Sequence, residues 1–313
     1  MDLPLVTVGV ASFNNAAYLR ETLDSIRLQT YPNLEVIVVD DASRDDSAAI
    51  AEAWFASHPE VRGRLIRHRT NLGVCRVCNE IVQQGQGEFI SIIGSDDVFL
   101  PDKLAVQVPL LQAAPARVGV LFSPIERMDA AGHPLPPPAD LAPPHEGQVH
   151  EHLLRVNFIA AMGALVRRSC YERVGLYDET LAYEDWDMWL RLAREYEFMY
   201  SPKPSARYRI HPGSATFSRR MQLAEASLRL LQKHRGRSPE ADAIIAGHTR
   251  LLAESLYHLG SPDARRWLRE RLRQAPDAIG LGMLLAASLG VKARHLSQAK
   301  GWLRRLTAGP AAA

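Results

Sequence analysis

A mostly parallel α/β sheet followed by a helical tail is the fold this sequence predicts, and three observations predict it. Four short apolar, β-rich runs (residues 5–10, 34–39, 64–67 and 88–93) alternate with three stretches of helical length, 16–28, 47–56 and 74–83. Strands separated by helices read as βαβ units, because a parallel neighbour is reached only through a crossover. The second run ends in Asp40-Asp41 and the fourth in Asp96-Asp97, so two acidic clusters fall at the carboxyl edge of the sheet, where such folds hold ligands. From residue 221 onward, segments 221–233, 241–257 and 263–273 carry apolar residues at helical spacing.

Taken in order, the first run has no basic region before it and reads as a strand rather than a leader peptide. Each acidic cluster exceeds what a turn requires, since one Asp or Asn would serve. Residues 133–144, HPLPPPADLAPP, are too proline-rich for regular structure and divide the first half of the chain from the second. A strand over 159–166 and a helix opening at Glu184 come next. The division expected is a catalytic domain over 1–218 and a basic helical region over 219–313.

Composition narrows the function. At 47% hydrophobic and 23% charged residues, the chain has the makeup of a folded globular protein. Its net charge of +2 hides an asymmetry: residues 219–313 hold 17 basic against 7 acidic side chains, so the first 218 residues are acidic. An acidic first part suits a metal site and opposes nucleic acid as a partner. The basic tail suits peripheral contact with an anionic membrane, or a solvated helical bundle. No apolar stretch approaches a membrane span, so the expected place is the cytoplasm, at most against the inner membrane face. Cys75, Cys78 and Cys170 are too few for a disulfide framework. Cys75 and Cys78 form a C-x-x-C without a second half, and read as small buried helix residues rather than as redox or zinc ligands.

Asp96 and Asp97 follow a buried apolar run, which would present them at a strand end as ligands for a hard divalent cation, Mn or Mg. The alternative for such a pair is a turn before a helix that Pro101 begins. Around them stand four patterns in order. The first is Val6-Thr7-Val8-Gly9-Val10-Ala11-Ser12-Phe13-Asn14, then Glu35 to Ser43 with Asp40-Asp41, then Asn71-Leu72-Gly73 with Asn79. The fourth is Gly94-Ser95-Asp96-Asp97 followed by Pro101-Asp102-Lys103-Leu104. Farther on come Gly175-Leu176-Tyr177-Asp178-Glu179, Tyr183-Glu184-Asp185-Trp186 and Tyr208-Arg209-Ile210-His211-Pro212-Gly213-Ser214.

From about residue 5 to 215 this ordered set resembles the inverting glycosyltransferases of family 2, which have the GT-A (nucleotide-diphospho-sugar transferase) sandwich fold. The resemblance implies transfer of a sugar from a nucleotide diphosphate sugar, UDP or dTDP, to a hydroxyl on a glycan or lipid-linked acceptor in surface polysaccharide synthesis. It implies that Ser12, Asn14, Asp40, Asn71, Arg76, Asp96 and His211 surround the donor, that Asp96, Asp97 and His211 hold the metal, and that Asp185 is the general base with Glu184 beside it. Such a base is needed because a hydroxyl is a weak nucleophile until its proton is removed. Glu184 and Asp185 also suit the start of a helix, and Trp186, Trp189, Leu190 and Ala193 share one apolar face that reads as core.

The chain departs from the family pattern at Ala11 in place of Pro, Ala42 in place of Gly and Gly94 in place of the first Asp of the metal motif. Gly94 keeps a second reading open, a non-catalytic regulator on the same fold that binds nucleotide sugar or glycan. A receiver domain, which also carries acids at a strand end, is disfavoured because the pair here follows the second strand rather than the first.

Overall fold

The computed structural model describes residues 3–137, 144–214 and 219–291. Its contacts divide into two compact units, Met1–Ser214 and Ala215–Ala313. The first unit opens with β1 (Val6–Ser12), α1 (Ala16–Arg27), β2 (Leu34–Asp40), α2 (Ser47–Ser57), β3 (Gly63–Arg67), α3 (Val74–Gln84) and β4 (Phe89–Gly94). It continues with β5 (Val98–Phe99), α4 (Lys103–Ala113), β6 (Val118–Phe122), β7 (Ile125–Met128), β8 (Pro134–Leu135) and α5 (His150–Arg155). It ends with β9 (Ala164–Arg167), α6 (Arg168–Val174), α7 (Asp185–Leu192), β10 (Glu197–Tyr200) and β11 (Ala206–Arg209).

Seven strands form the main sheet in the order β10-β6-β9-β4-β1-β2-β3. All its pairs are parallel except those of β9, which runs antiparallel to β4 and β6. The central strands are buried on both faces, which is why β2 reads as an unbroken apolar run rather than an alternating one. Leu19, Leu23 and Ile26 of α1 and Trp54 of α2 are fully buried in the core on one face. Gly9 allows α3 to lie directly on β1, since a Cβ there would meet Ile81 Cγ2 at 2.2 Å. A second sheet, β5-β11-β7-β8, is built of strands of two to four residues.

Two sequence expectations are corrected. The strand expected over 159–166 begins only at Ala164, after a 3-10 turn at Ala161–Gly163. The carbonyl of Ile159 is taken by a side chain, Trp189 Nε1 at 3.1 Å, in place of a strand partner, and that of Gly163 is shared between the Ser123 N–H at 3.1 Å and Gln107 Nε2 at 2.9 Å. The proline-rich stretch is also not wholly irregular. Pro134–Leu135 pairs with Arg127 and Met128 at the edge of the second sheet, where a proline's missing N–H costs no ladder bond. Residues 138–143 of that stretch lie outside the described residues.

The second unit contains α8 (Arg220–Gln232), α9 (Pro239–Leu259), α10 (Ala264–Gln274) and α11 (Ala278–Ser288), the last not expected from the sequence. Ser238 caps α9 by accepting the Ala241 N–H, Pro239 fills its first turn, and Gly260 ends it in a left-handed conformation. Buried Leu228, Leu256, Trp267 and Leu268 form the core of this bundle. No described helix is long and apolar enough to cross a membrane.

Beneath the main sheet Lys103 is buried, with its ammonium donating to Gln107 Oε1 at 2.6 Å and lying 4.9 Å from the Phe99 ring centre. Burial pushes its pKa down to about 7 from an ordinary value of 10.5. Between those values the unfolded chain holds a proton the native one has released, so this group makes stability rise with pH across that window. Lys103→Met removes the dependence. Urea denaturation should find the variant gaining on the parent as pH falls toward 7, by up to about 1.4 kcal/mol per pH unit.

Candidate functional site

The strands β1, β2 and β4 end side by side, with Ser12 in register with Asp40 and Ala11 with Gly94. Ser12 Oγ and Asp40 Oδ1 are both buried and neither has a hydrogen-bond partner. The other Asp40 oxygen is taken by the Ser43 N–H at 3.0 Å. That turn holds Ala42 at φ 59°, a left-handed conformation costing a non-glycine residue about 1 kcal/mol, which is the physical reason the expected pattern has glycine there. Asn14, also left-handed at φ 54°, accepts the Arg44 N–H at 2.7 Å and donates its own N–H to Ser43 Oγ. Its side chain is therefore engaged in shaping this loop.

Asp41 does different work from Asp40. Its carboxylate accepts the N–H groups of Leu72 and Gly73, each at 2.8 Å, and meets His68 Nδ1 at 2.7 Å. The far nitrogen of His68 lies 2.7 Å from Glu80. Burial alone would lower the His68 pKa, but its hydrogen bonds with Glu80 and Asp41 prevail and raise it. Asn71 donates to the Asp41 carbonyl at 3.3 Å, so the Asn71-Leu72-Gly73 pattern is a loop pinned to the end of β2.

At the end of β4, Asp97 is buried and Asp96 half-buried. Burial, and then the Asp96 charge, push the Asp97 carboxyl well above the ordinary range. A Cβ built on Gly94 would lie 2.8 Å from Asp96 Oδ1 and 3.4 Å from Asp97 Oδ2, so both carboxylates lean over this glycine. Two acidic oxygens converging on one point need a proton or a cation between them, and hard oxygen donors suit a divalent metal. His211 Nε2 is 2.9 Å from Asp96 Oδ2, which brings the third expected ligand to the same acids. In this arrangement the imidazole is hydrogen-bonded to Asp96, and no group of three His, Cys, Asp or Glu among the described residues stands ready-made around one point. The Asp96-Asp97 pair therefore fits a cation, with His211 beside it.

Arg209 fastens this turn. It is 1% exposed, and it donates through its backbone N–H to Asp97 Oδ1 at 2.9 Å and through Nε to the Asp96 carbonyl at 2.8 Å. Its remaining nitrogens reach the Ala130 carbonyl at 3.2 Å and Glu21 at 2.6 Å. The guanidinium lies over the Tyr18 ring, and Tyr18 in turn packs on His211.

Glu184 and Asp185 stand where α7 begins, in a slot lined by Ile90 and Ile92 of β4 and Ala164 and Val166 of β9. Residues two apart on a strand face the same way. Gly94 therefore lies on the same face of β4 as Ile90 and Ile92, about 7 Å beyond Ile92. The metal-type acids and the Glu184-Asp185 pair thus open onto one side of the sheet. Both residues are half-buried, and the crowding of protein around their carboxyls pushes Glu184 up to about 7 and Asp185 up to about 6. Asp185 accepts from Asn157 Nδ2 at 2.9 Å and from the Trp186 N–H at 2.6 Å. Glu184, the residue before α7, makes no side-chain cap bond. Trp186, Trp189, Leu190 and Ala193 are buried, with the Trp186 indole donating to the Leu153 carbonyl.

Asn79 receives the Tyr177 N–H at 2.7 Å and donates to its carbonyl, tying α3 to the loop that leads to Glu184. Arg76 pairs at the surface with Glu179 at 3.2 Å. Cys75 and Cys78 are buried thiols, held protonated by burial. Sequence reasoning passed over His68, Asn157 and Arg209. The one available signal was Arg209, which sits inside the Tyr208 to Ser214 pattern.

Arg209→Met should lower the unfolding free energy by about 3 kcal/mol in urea denaturation, because several buried acceptors lose their donor at once. Glu21→Gln, at a half-exposed partner, should cost under about 1 kcal/mol.

The family model described as "Glycosyl transferase family 2" matches residues 7–175. An uncharacterized glycosyltransferase of Rickettsia prowazekii (strain Madrid E) is 28% identical over 229 residues, covering 71% of this chain and 69% of the relative. One of Methanocaldococcus jannaschii is 25% identical over 215 residues, covering 67% and 72%. Residues 1–349 of S. aureus TarS in complex with UDP-GlcNAc superpose with a TM-score of 0.64 at 18% identity, covering 87% of this chain and 81% of that one. The Pyrobaculum calidifontis mannosyltransferase PcManGT, in complex with GDP-Man and Mn2+, gives 0.61 at 20% identity, covering 95% and 84%. With its GT-A-like sheet, its four ordered patterns and a family match spanning more than half its length, the chain belongs to glycosyl transferase family 2.

Proposed function

We propose that this protein transfers a sugar from a uridine or thymidine diphosphate sugar to an acceptor hydroxyl with inversion, Asp185 acting as general base. The observation that carries the reading is the pair of buried, partnerless atoms Ser12 Oγ and Asp40 Oδ1, in register on adjacent strands. Each would cost about 1–3 kcal/mol if left unsatisfied. A uracil or thymine ring offers the complement: one imino N–H for the free carboxylate oxygen, flanked by carbonyls of which one takes the serine hydroxyl. Guanine presents two adjacent donors, and the second Asp40 oxygen is already spent on Ser43.

A divalent cation on Asp96 and Asp97 would supply positive charge against the departing diphosphate. The protein's own residues do the rest. Asp40 and Ser12 hold the base, the Asp41-pinned loop borders it, and Asp185 takes the acceptor's proton as the hydroxyl attacks the anomeric carbon opposite the diphosphate. Glu184, beside it, has the higher pKa and orients the acceptor in its protonated form. Attack from that face inverts the centre and needs no enzyme nucleophile. Gly94 supports catalysis rather than the regulator reading, because it leaves the space into which Asp96 and Asp97 lean. The acceptor class we favour is a glycan or lipid-linked glycan, met at the cytoplasmic membrane face. The exposed Arg265, Arg266 and Arg269 of α10 support peripheral contact there.

Calorimetric titration with UDP, dTDP and GDP, each with Mn2+ and with EDTA, tests the donor site. Expected is metal-dependent binding of UDP or dTDP but not GDP, lost in Asp97→Ala and weakened at least about tenfold in Asp40→Ala. Absence of binding to all three nucleotides would sink the assignment. Asp185→Asn should leave nucleotide binding intact while cutting transfer by about 10²- to 10⁴-fold. In the parent, transfer should fall as pH drops through the window of about 6 to 7 in which the acid pair takes up a proton.

A further inference from the structure

Two neighbouring carboxyls that share a crowded slot do not both ionise readily, so the fold must decide which of Glu184 and Asp185 carries the charge. The hydrogen bonds are unequal. Asp185 receives one N–H on each oxygen, from Asn157 Nδ2 at 2.9 Å and from Trp186 at 2.6 Å. Among the described residues, the Glu184 carboxyl is favoured in its charged form only by its own backbone N–H. The Asn157 amide is held in its donating orientation, because its oxygen faces the Ile159 N–H at 3.4 Å. The segment bearing it is fixed to α7 by two indoles, with Trp186 donating to the Leu153 carbonyl and Trp189 to that of Ile159.

No residue lining the slot is cationic, and the one guanidinium that acts on its Tyr171 wall, Arg191 of α7, is committed to Asp187 at 2.9 Å and to the carbonyls of Val174, Gly175 and Leu176. Cys75 and Cys78 approach from α3, Tyr171 and Tyr177 line the far wall, and Asp178 and Asp187 flank it. Burial keeps the thiols and phenols protonated. The amide of Asn157 is thus the one side-chain donor that discriminates between the two acids among the described residues.

We propose that Asn157 is a positioning residue that selects Asp185 over Glu184 as the ionised member of the pair and aims it at the acceptor hydroxyl. This rests on the transferase reading for its consequence, but not for its measurement. In protein labelled with ¹³C at aspartate carboxyls, the Asp185 signal is identified by its loss in Asp185→Asn and followed with pH. In Asn157→Ala its midpoint should rise by about one pH unit. In Asn157→Asp, which keeps the shape and adds a like charge, it should rise further, and a purely structural role predicts no such order. In the transfer assay the acidic limb of kcat should move upward with the midpoint. Well below pH 6 kcat should fall about tenfold, narrowing to about twofold near pH 7, while UDP affinity and the acceptor KM hold. An unmoved midpoint in folded variants, or a lower kcat with an unshifted limb, overturns the proposal. A parent protein that binds no nucleotide would count against the transferase reading instead, and the titration would still decide the role of Asn157.

Discussion

A guanidinium cannot lie inside a protein without partners for its five donors, and the burial of Arg209 sets the terms for the acidic end of this fold. Its guanidinium draws partners from three parts of the chain, the Asp96 carbonyl after β4, the loop at Ala130 and Glu21 on α1, while its backbone N–H bonds the Asp97 carboxylate. The second sheet brings these parts together. Strand β5 begins one residue after Asp97, and its antiparallel pairing of Val98 with Arg207 carries β11 back over the acidic turn. The short strands seat Phe99 and Ala206 in the core. Their effect is to place a cation, and then His211, against acids more than a hundred residues away in sequence.

Two pairs of adjacent carboxyls open onto one face of the main sheet, and the fold treats them differently. Asp96 and Asp97 lean over Gly94, an arrangement of hard oxygen donors that fits a cation. Glu184 and Asp185 occupy a slot without any cationic side chain, where burial raises both and hydrogen bonds separate them. The first arrangement suits charge delivered with a phosphate ligand. The second suits a group that must gain and lose a proton near neutrality.

The first hundred residues were legible because burial on both faces leaves β1, β2 and β4 rich in Val and Ile, with few polar letters between them. Asp40, Asp96 and Asp185 were legible because acids at strand and helix ends have few other reasons to cluster. The second sheet was not, since strands as short as Val98–Phe99 and Pro134–Leu135 have no room for a period of two. Arg209 and His68 were missed for a related reason: a charged letter reads as solvent-exposed, and only tertiary partners reveal that it is buried. Asn79 was placed in a donor-side pattern, whereas its amide grips Tyr177 and links that pattern to the acid pair. The helix over Ala278–Ser288 arises from a cap at Asp277 and a run apolar on all sides, which carries no amphipathic stripe to read.

All three cysteines are buried, and their thiols are held protonated, Cys170 at about 11 and the other two higher still. A thiol is reactive only as thiolate and only where a reagent can reach it. The native sequence is therefore already silent toward maleimides and related labels under folding conditions. A single cysteine introduced at an exposed position such as Arg76 would carry a fluorophore or spin probe without any background to engineer away.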